Sequence, residues 1–223
     1  MTWQIFKDRS EAGQALAKAL ENFRDDNPII LALPRGGLPL GYEVAKALHA
    51  PLDIVLVRKI GTPASPELAA GAVVDGDDPQ LVLNENIIEM YNISPEYIEE
   101  QKVQKLKEIE HRREMYRSGR PPLSIEGRTI IVIDDGIATG ATVRAALKGL
   151  RKKNPKKLVL AIPVAPAEIL PELDQEIDEV ICLQAPSPFY AVGGYYQDFT
   201  PVEDQEAIEF LERASKNLEK QDD

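Results

Sequence analysis

Five short apolar runs recur along this chain, and each is too short for a helix and lacks the polar–apolar alternation of a half-exposed strand. They lie at 29–33, 54–57, 130–133, 158–162 and 180–183. Strands of this kind are typical of a parallel sheet that is covered on both faces. Segments with helical apolar spacing lie between most of them, so the pattern predicts an α/β fold with a mainly parallel sheet flanked by helices.

Capping residues predict where two of the helices begin. Asp8, with Glu11 three residues later, has the pattern of a capping box and predicts a first helix. The run Thr-Pro-Val-Glu at 200–203 combines a second capping box with proline in the first turn. We therefore expect the last helix to begin there.

The segment 94–119 interrupts the alternation of strands and helices. It opens with Ser94 as cap and Pro95 at the first helical position, after short extended pieces at 72–74 and 81–83. Its apolar residues form a thin stripe among many charged ones. We therefore expect a long inserted helix that projects from the core, as an accessory lid or a dimer contact.

Composition limits the classes of function. The chain has 223 residues and a net charge of −11, which opposes attraction to nucleic acid or anionic lipid. No apolar run approaches the ~20 residues of a membrane span, so we expect one domain over 1–223 that does not enter membranes. The beginning of the chain lacks a secretory pattern, and the single Cys182 lies in an apolar run that suits a buried thiol. We therefore expect a cytoplasmic protein.

The basic run 148–157 is interpreted as a solvated helix end.

The segment 134–142, here called the twin-acid loop, is the most informative motif. It reads Asp-Asp-Gly-Ile-Ala-Thr-Gly-Ala-Thr and follows a predicted strand, at the edge where parallel sheets bind ligands. Its small residues let backbone N–H groups converge at a helix start, and Thr139 and Thr142 add hydroxyls, as in phosphate sites. Asp134 and Asp135 could accept hydrogen bonds from sugar hydroxyls or hold Mg²⁺. The pattern predicts a sugar-phosphate site, and the alternative is that Asp135 merely caps the helix.

The run 130–142 resembles the hallmark of the type I phosphoribosyltransferases, in which a hydrophobic strand, two acids and a Thr/Gly-rich loop grip phosphoribosyl pyrophosphate (PRPP). The resemblance implies their Rossmann-like fold, with a hood or base-side loop at 184–200. It also implies Mg²⁺-dependent transfer of the phosphoribosyl group to a nitrogen of a base-like acceptor, release of pyrophosphate, a role in purine or pyrimidine salvage, and a homodimer. Gly136 departs from the aliphatic residue of many members and adds backbone freedom. The implied phosphate ligands are Gly136, Ile137, Ala138, Thr139, Gly140, Ala141 and Thr142.

Arg58 and Lys59 complete the implied catalytic set with Asp134 and Asp135, and Arg35 is implied to bind pyrophosphate. The Arg-Gly-Gly turn, residues 35–37, resembles the pyrophosphate loop of the family, with Arg35 supplying charge and Gly36 and Gly37 supplying amides. Arg58 and Lys59 are similar to the start of the mobile loop that closes over the reacting centre, and would also bind pyrophosphate. The alternatives are an ordinary surface turn at 35–37 and outward, solvated side chains at 58 and 59.

The stretch 188–198 is similar to the family's base-side loop. Phe189 and Tyr190 could stack on a planar acceptor while Val192 reads its edge, or the rings could pack against the core. The run 161–166 lacks the lysine that 6-oxopurine enzymes present near this strand, which disfavours hypoxanthine and guanine as acceptors.

A regulator that senses PRPP or a nucleotide without turnover is the rival hypothesis, because a fold does not dictate its function. Arg58 and Lys59 favour the enzyme. Since a carboxylate at an exposed loop end contributes little to packing, we expect Asp135→Asn to abolish turnover and leave the fold intact.

Overall fold

The computed structural model describes residues 3–76, 78–117 and 119–219, and this part of the chain forms eight strands and seven α-helices. The strands are β1 Ile29–Ala32, β2 Leu52–Ile54, β3 Val57–Gly61, β4 Ala69–Val74, β5 Gln80–Leu83, β6 Thr129–Ile133, β7 Lys157–Val164 and β8 Glu179–Gln184. The helices are α1 Arg9–Ala19, α2 Gly37–Leu48, α3 Glu85–Met90, α4 Pro95–Arg117, α5 Ala141–Arg151, α6 Leu170–Glu176 and α7 Asp204–Glu219.

Five strands form a parallel sheet in the order β2-β1-β6-β7-β8. Helices cover both faces, which explains why the central strand β6 is buried along its whole length. On one face, Leu16 of α1 and Leu40 of α2 share a core with Ile131. On the other, Val143 of α5 packs with Val132, the next residue of the same strand, because successive side chains of a strand point to opposite faces. The predicted α/β fold with a mainly parallel sheet is confirmed.

A second sheet is antiparallel and has the order β3-β4-β5. It lies between α5 on one face and α4 on the other. A side chain at Gly149 of α5 would place its Cβ 2.7 Å from the Cβ of Val74, so the glycine allows the helix to approach the sheet closely. The prediction of one strand at 54–57 is wrong, since β2 ends at Ile54 in the parallel sheet and β3 begins at Val57 in the antiparallel one. The extended pieces predicted at 72–74 and 81–83 lie in β4 and β5.

Helix α4 confirms the predicted long helix but does not project from the core. Ile98, Ile109 and Tyr116 are buried against the antiparallel sheet and α7. The last residue, Arg117, is buried between Asp53 and Asp75, with ion pairs of 3.0 and 3.2 Å. The thin apolar stripe is therefore sufficient, because charged groups at the end of the helix add a second, polar attachment.

The first helix begins as predicted, and the last one does not. The Asp8 carboxylate accepts a hydrogen bond of 2.9 Å from the Glu11 amide at the start of α1. Helix α7 begins at Asp204, four residues after Thr200, whose hydroxyl donates to Asp198 at 2.6 Å instead of capping the helix. The Glu203 carbonyl accepts the first helical bond, so proline in the predicted first turn lies outside the helix.

The residues 184–200, here called the hood segment, leave β8 and return across the carboxyl edge of the parallel sheet. The segment contains one turn of 3₁₀ helix at Val192–Tyr195 and joins the amino-terminal residues through a bridge between Phe6 and Tyr196.

Cys182, in β8 just before the hood segment, is half-buried, and burial raises the pKa of its thiol to about 11. Across the described ranges, no helix combines the length and apolar character needed to cross a bilayer.

Candidate functional site

The Arg-Gly-Gly turn and the twin-acid loop follow neighbouring strands at the switch point of the parallel sheet. From β1 the sheet extends to β2 on one side, and from β6 it extends to β7 and β8 on the other. The two loops therefore leave the carboxyl ends of β1 and β6 in opposite directions and open a crevice between them. Ligands of open α/β sheets bind at such a point.

Two glycines allow these loops to touch. A Cβ added to Gly36 would lie 2.2 Å from Oδ2 of Asp135, and one added to Gly37 would lie 2.5 Å from the Ile133 carbonyl oxygen. Both distances are too short for any side chain, so the backbone itself packs against the end of β6. The structure thus brings together two segments that are separated by about a hundred residues in the sequence and that were predicted to bind pyrophosphate and ribose.

Gly136 is required by its conformation and by its neighbours. Its φ of +153° lies in the region that favours glycine, and a Cβ there would be 2.5 Å from Val192 and 3.0 Å from Val164. The aliphatic residue that many relatives of this motif carry therefore has no room here, because the hood segment occupies that space.

The start of α5 offers free backbone donors. Its N-cap is Gly140, with φ +76° and no side-chain cap, so the alternative that Asp135 caps this helix is wrong. The first N–H groups of a helix have no intrahelical partner, and Thr139, Ala141 and Thr142 are exposed. The Ile137 amide, in contrast, donates to the Val164 carbonyl at 3.0 Å, and its side chain is buried. An anion can therefore contact 138–142, whereas Ile137 supports the loop from behind.

Arg9 occupies one oxygen of Asp135. Its Nε lies 2.9 Å from Oδ2, and the Asp135 side chain is only 15% exposed. Burial raises the pKa of Asp135, and the charge and hydrogen bond of Arg9 oppose that rise. The Tyr196 hydroxyl also donates to the Asp135 carbonyl oxygen at 2.6 Å. The expectation that Asp135 is an exposed carboxylate at a loop end is wrong.

Of the two acids, Asp134 has the environment that disfavours the ionised side chain more strongly. Burial, and then the neighbouring charge of Asp135, raise its pKa well above the ordinary range. Its Oδ1 accepts a hydrogen bond of 2.9 Å from the Asp135 amide. Two carboxylates held together in this way favour the arrival of a cation or of hydroxyl donors, because either would reduce their repulsion.

The two acids suit Mg²⁺ in one particular mode. Within the described residues, no group of three or more His, Cys, Asp or Glu side chains is arranged to hold a metal ion. Mg²⁺ prefers oxygen ligands and is commonly held by one or two carboxylates together with substrate phosphates. Asp134 and Asp135 therefore fit a metal that arrives with a phosphorylated ligand, and not a protein-only cage.

Arg58 and Lys59 lie in β3, and not in a loop after a buried strand as predicted. Because they are successive residues of a strand, they face opposite sides of the antiparallel sheet. Arg58 faces α4, with its Nε 3.5 Å from Glu108, and burial followed by the charge of Arg112 lowers its pKa. Lys59 faces α5, so the structure does not bring the two cations together.

Lys59 shares a cleft with the twin-acid loop. The cleft has a volume of about 400 Å³ and lies between the antiparallel sheet and the first turns of α5. Lys59, Thr139 and Lys148 contribute to its walls. An anion bound at the start of α5 would therefore lie in the same cleft as the exposed Lys59.

Arg35 faces the first turn of α7. Its guanidinium lies 3.6 Å from carboxylate oxygens of both Glu203 and Asp204 and is about one-third exposed. Although Gly36 beside it contacts Asp135, no contact joins the Arg35 side chain to that acid among the described residues. Exposed ion pairs at this distance are weak, so an anionic ligand could replace them.

The three predicted base-side residues occupy different environments in the hood segment. Phe189 stacks on Tyr195, with ring centroids 5.7 Å apart and planes at 9°. Tyr190 is 88% exposed. Val192 packs against Gly136 and is the member of the set that contacts the twin-acid loop. Phe189 is therefore half-buried against another ring of the hood segment and is not part of the core, whereas the Tyr190 ring is exposed.

Sequence reasoning missed Arg9 and Tyr196, both of which contact Asp135. Arg9 lies 126 positions away in the first turn of α1, and nothing in the pattern around it distinguishes it from a surface arginine. Tyr196 lies in the aromatic stretch 188–198, but the sequence does not distinguish it from Tyr190 and Tyr195 as the tyrosine whose hydroxyl is buried against Asp135.

Comparison with known proteins shows which family this chain belongs to. A model of the phosphoribosyl transferase domain matches residues 2–200. A Mycobacterium tuberculosis (strain ATCC 25618 / H37Rv) protein, named "Putative phosphoribosyl transferase Rv0571c", is 41% identical over 215 residues, which are 96% of this chain and 48% of that protein. This chain thus spans about half the length of the curated relatives it matches.

A solved structure shows the same fold over nearly the whole chain. The crystal structure of TT1426 from Thermus thermophilus is 40% identical, has a TM-score of 0.83, and covers 93% of this chain and 98% of its own. Because the family model spans most of the sequence, and includes both loops that meet at the switch point, this chain belongs to the phosphoribosyl transferase domain family, which is a family of transferases.

Proposed function

We propose that this chain transfers the phosphoribosyl group of PRPP to a nitrogen of a base-like acceptor and releases pyrophosphate. The observation that carries the proposal is the contact between the Arg-Gly-Gly turn and Asp135 at the switch point, beside the unpaired amides of α5. A donor with a phosphate at one end, a diol in the middle and pyrophosphate at the other matches that order of groups.

The 5′-phosphate is proposed to bind the backbone donors and hydroxyls of 138–142, with Lys59 as its nearest cation. Asp134 and Asp135 would orient the ribose hydroxyls, and pyrophosphate would lie on the Arg-Gly-Gly turn. The acceptor would then approach from the hood segment, where Val192 contacts the twin-acid loop and Tyr190 is exposed. Assigning Lys59 to the 5′-phosphate differs from the assignment that the sequence suggested, because Lys59 faces α5.

The reaction needs no covalent residue. A nitrogen lone pair forms a bond to the anomeric carbon while the bond from that carbon to the pyrophosphate oxygen breaks, and its electrons leave with pyrophosphate. The nitrogen loses its proton to solvent or to the leaving group. Binding all parts of the donor fixes the geometry of displacement, and cations near pyrophosphate stabilise the charge that grows on it.

Mg²⁺ is proposed to accompany the donor. The twin acids would hold it together with phosphate oxygens, and the ion would supply positive charge to the leaving group. The acids themselves would orient the ribose hydroxyls.

The test is the release of pyrophosphate from PRPP, with Mg²⁺, in the presence of a panel of purine, pyrimidine and other nitrogen bases. We expect release that depends on one acceptor class, with hypoxanthine and guanine poor acceptors. Binding of PRPP without release for any acceptor would instead favour the rival sensor, and failure to bind PRPP would contradict both hypotheses.

A paired substitution tests the separation of Arg58 and Lys59. We expect Lys59→Met to raise the KM for PRPP by about tenfold. One exposed charge-assisted contact to phosphate contributes roughly 1.4 kcal/mol of binding free energy, which corresponds to a tenfold change in affinity. Arg58→Met is the matched control on the opposite face of β3, and should leave KM unchanged. The proposal that Lys59 binds the 5′-phosphate fails if Arg58→Met raises the KM and Lys59→Met does not.

The extent of the functional unit and its partners are also proposals. We propose that residues 1–223 act as one phosphoribosyltransferase domain in the cytoplasm, without nucleic acid or membrane partners. A homodimer stays a prediction, which size-exclusion chromatography with light scattering would test.

A further inference from the structure

Arg9 stands where helix stability alone would not place it. It is the first residue of α1, where the positive end of the helix dipole disfavours a cation. Its side chain is only 10% exposed, and a buried arginine is rare unless it has anionic or hydrogen-bonding partners. Its location must therefore be explained by what the guanidinium contacts.

The guanidinium joins the twin-acid loop to the end of the hood segment. Nε donates to Oδ2 of Asp135 at 2.9 Å, and Nη1 donates to the Thr200 carbonyl oxygen at 2.7 Å. The ring of Phe199 lies under its Cζ at 4.0 Å, a distance at which a cation and an aromatic face attract each other. One arginine thus joins three segments that are distant in sequence: the start of α1, the twin-acid loop and the end of the hood segment.

These contacts leave one oxygen of Asp135 for a ligand. Oδ2 is enclosed by Arg9 on one side and by the backbone of Gly36 on the other. Among the described residues, no side chain donates a hydrogen bond to the other oxygen, Oδ1. The carboxylate is therefore held from behind, and Tyr196 fixes the carbonyl oxygen of the same residue at 2.6 Å.

We infer that Arg9 is a positioning residue of the transfer site. It fixes the Asp135 carboxylate so that Oδ1 faces the ribose hydroxyls, and it couples that orientation to the hood segment, which is proposed to lie beside the acceptor. The inference rests on the proposed function, since it assumes that Asp135 contacts the ribose. Arg9 itself touches neither substrate.

The test compares Arg9→Met and Arg9→Lys with Arg24→Met. Arg24 is an exposed arginine just after α1, so its removal is a matched control. Pyrophosphate release and PRPP binding are measured well below each melting temperature. For Arg9→Met we expect kcat to fall by about 10- to 100-fold while the KM for PRPP rises by less, because a misplaced catalytic group can lower the rate by that much. Lysine keeps the charge but cannot reach both acceptors, so Arg9→Lys should be intermediate.

Each remaining outcome decides the inference. Kinetics of Arg9→Met and Arg9→Lys equal to those of Arg24→Met would overturn it while leaving the proposed function intact. If the wild-type chain binds PRPP without releasing pyrophosphate, the transferase proposal fails, and Arg9 is judged by PRPP affinity: a loss in Arg9→Met supports the inference and equal affinity overturns it. Absence of PRPP binding by the wild-type chain overturns both.

Discussion

Asp134→Asn is expected to lower the rate of pyrophosphate release by about 10²- to 10³-fold, the loss typical of removing one preorganised electrostatic group. The same substitution should leave the free energy of unfolding unchanged or increase it. Burial and the charge of Asp135 both disfavour the ionised Asp134 side chain, and an amide of the same shape avoids that unfavourable charge. The amide oxygen can still accept the hydrogen bond from the Asp135 backbone.

Asp135→Asn provides the contrast. It removes the charge that pairs with the buried Arg9, so we expect it to lower stability as well as activity, and this replaces the expectation from the sequence that the fold stays intact. Activity assays and denaturant unfolding of the two variants would separate the roles of the acids. Wild-type turnover in Asp134→Asn would contradict the proposed role of this acid in the reaction. A loss of stability as large as that of Asp135→Asn would contradict the prediction that the ionised Asp134 side chain destabilises the fold.

The effect of pH on Asp134→Asn has a definite sign. Because the folded-state pKa of Asp134 is raised, the ionised side chain destabilises the wild-type fold at pH values above that pKa. As the pH falls through the folded pKa toward the unfolded one, the carboxyl becomes protonated and this destabilisation disappears. In metal-free buffer, the stability advantage of Asp134→Asn should therefore shrink as the pH is lowered.

Arg117→Met is expected to destabilise the fold by about 3–5 kcal/mol, the usual loss when one partner of a buried ion pair is removed. Arg117 lies 3.0 Å from Asp53 and 3.2 Å from Asp75, and these three side chains are at most 10% exposed. Its Nη2 also donates to the Ile54 carbonyl at 3.1 Å. Asp75 keeps a second partner in Arg113, so the carboxylate left without a cation is mainly that of Asp53.

Denaturant unfolding measures this loss, and Lys107→Met, at an exposed position of the same helix, is the matched control. Adding Asp53→Asn to Arg117→Met should recover part of the stability, because it removes the unpaired charge. Equal stabilities for Arg117→Met and Lys107→Met would show that the ion pairs do not attach α4. The attachment matters for the site because α4 covers one face of the sheet whose other face carries Lys59.

Much of the fold follows from local patterns. The apolar runs, the cap at Asp8 and the Ser94-Pro95 start indicate elements that depend on burial or on backbone donors within a few residues. The twin-acid loop is equally local, since its small residues and its place after a buried strand both lie within one segment. These features could be predicted because their causes are contiguous in sequence.

The tertiary structure decided which side chains meet. The sequence alone determined an α/β chain with a parallel sheet and the twin-acid motif, but not that a second sheet begins at Val57 and turns Arg58 and Lys59 to opposite faces. Nor did it determine that Arg9 would hold Asp135, or that the hood segment would leave no room for a side chain at Gly136. Strand pairing and long-range ion pairs depend on how distant segments pack, and no local pattern of residues records that packing.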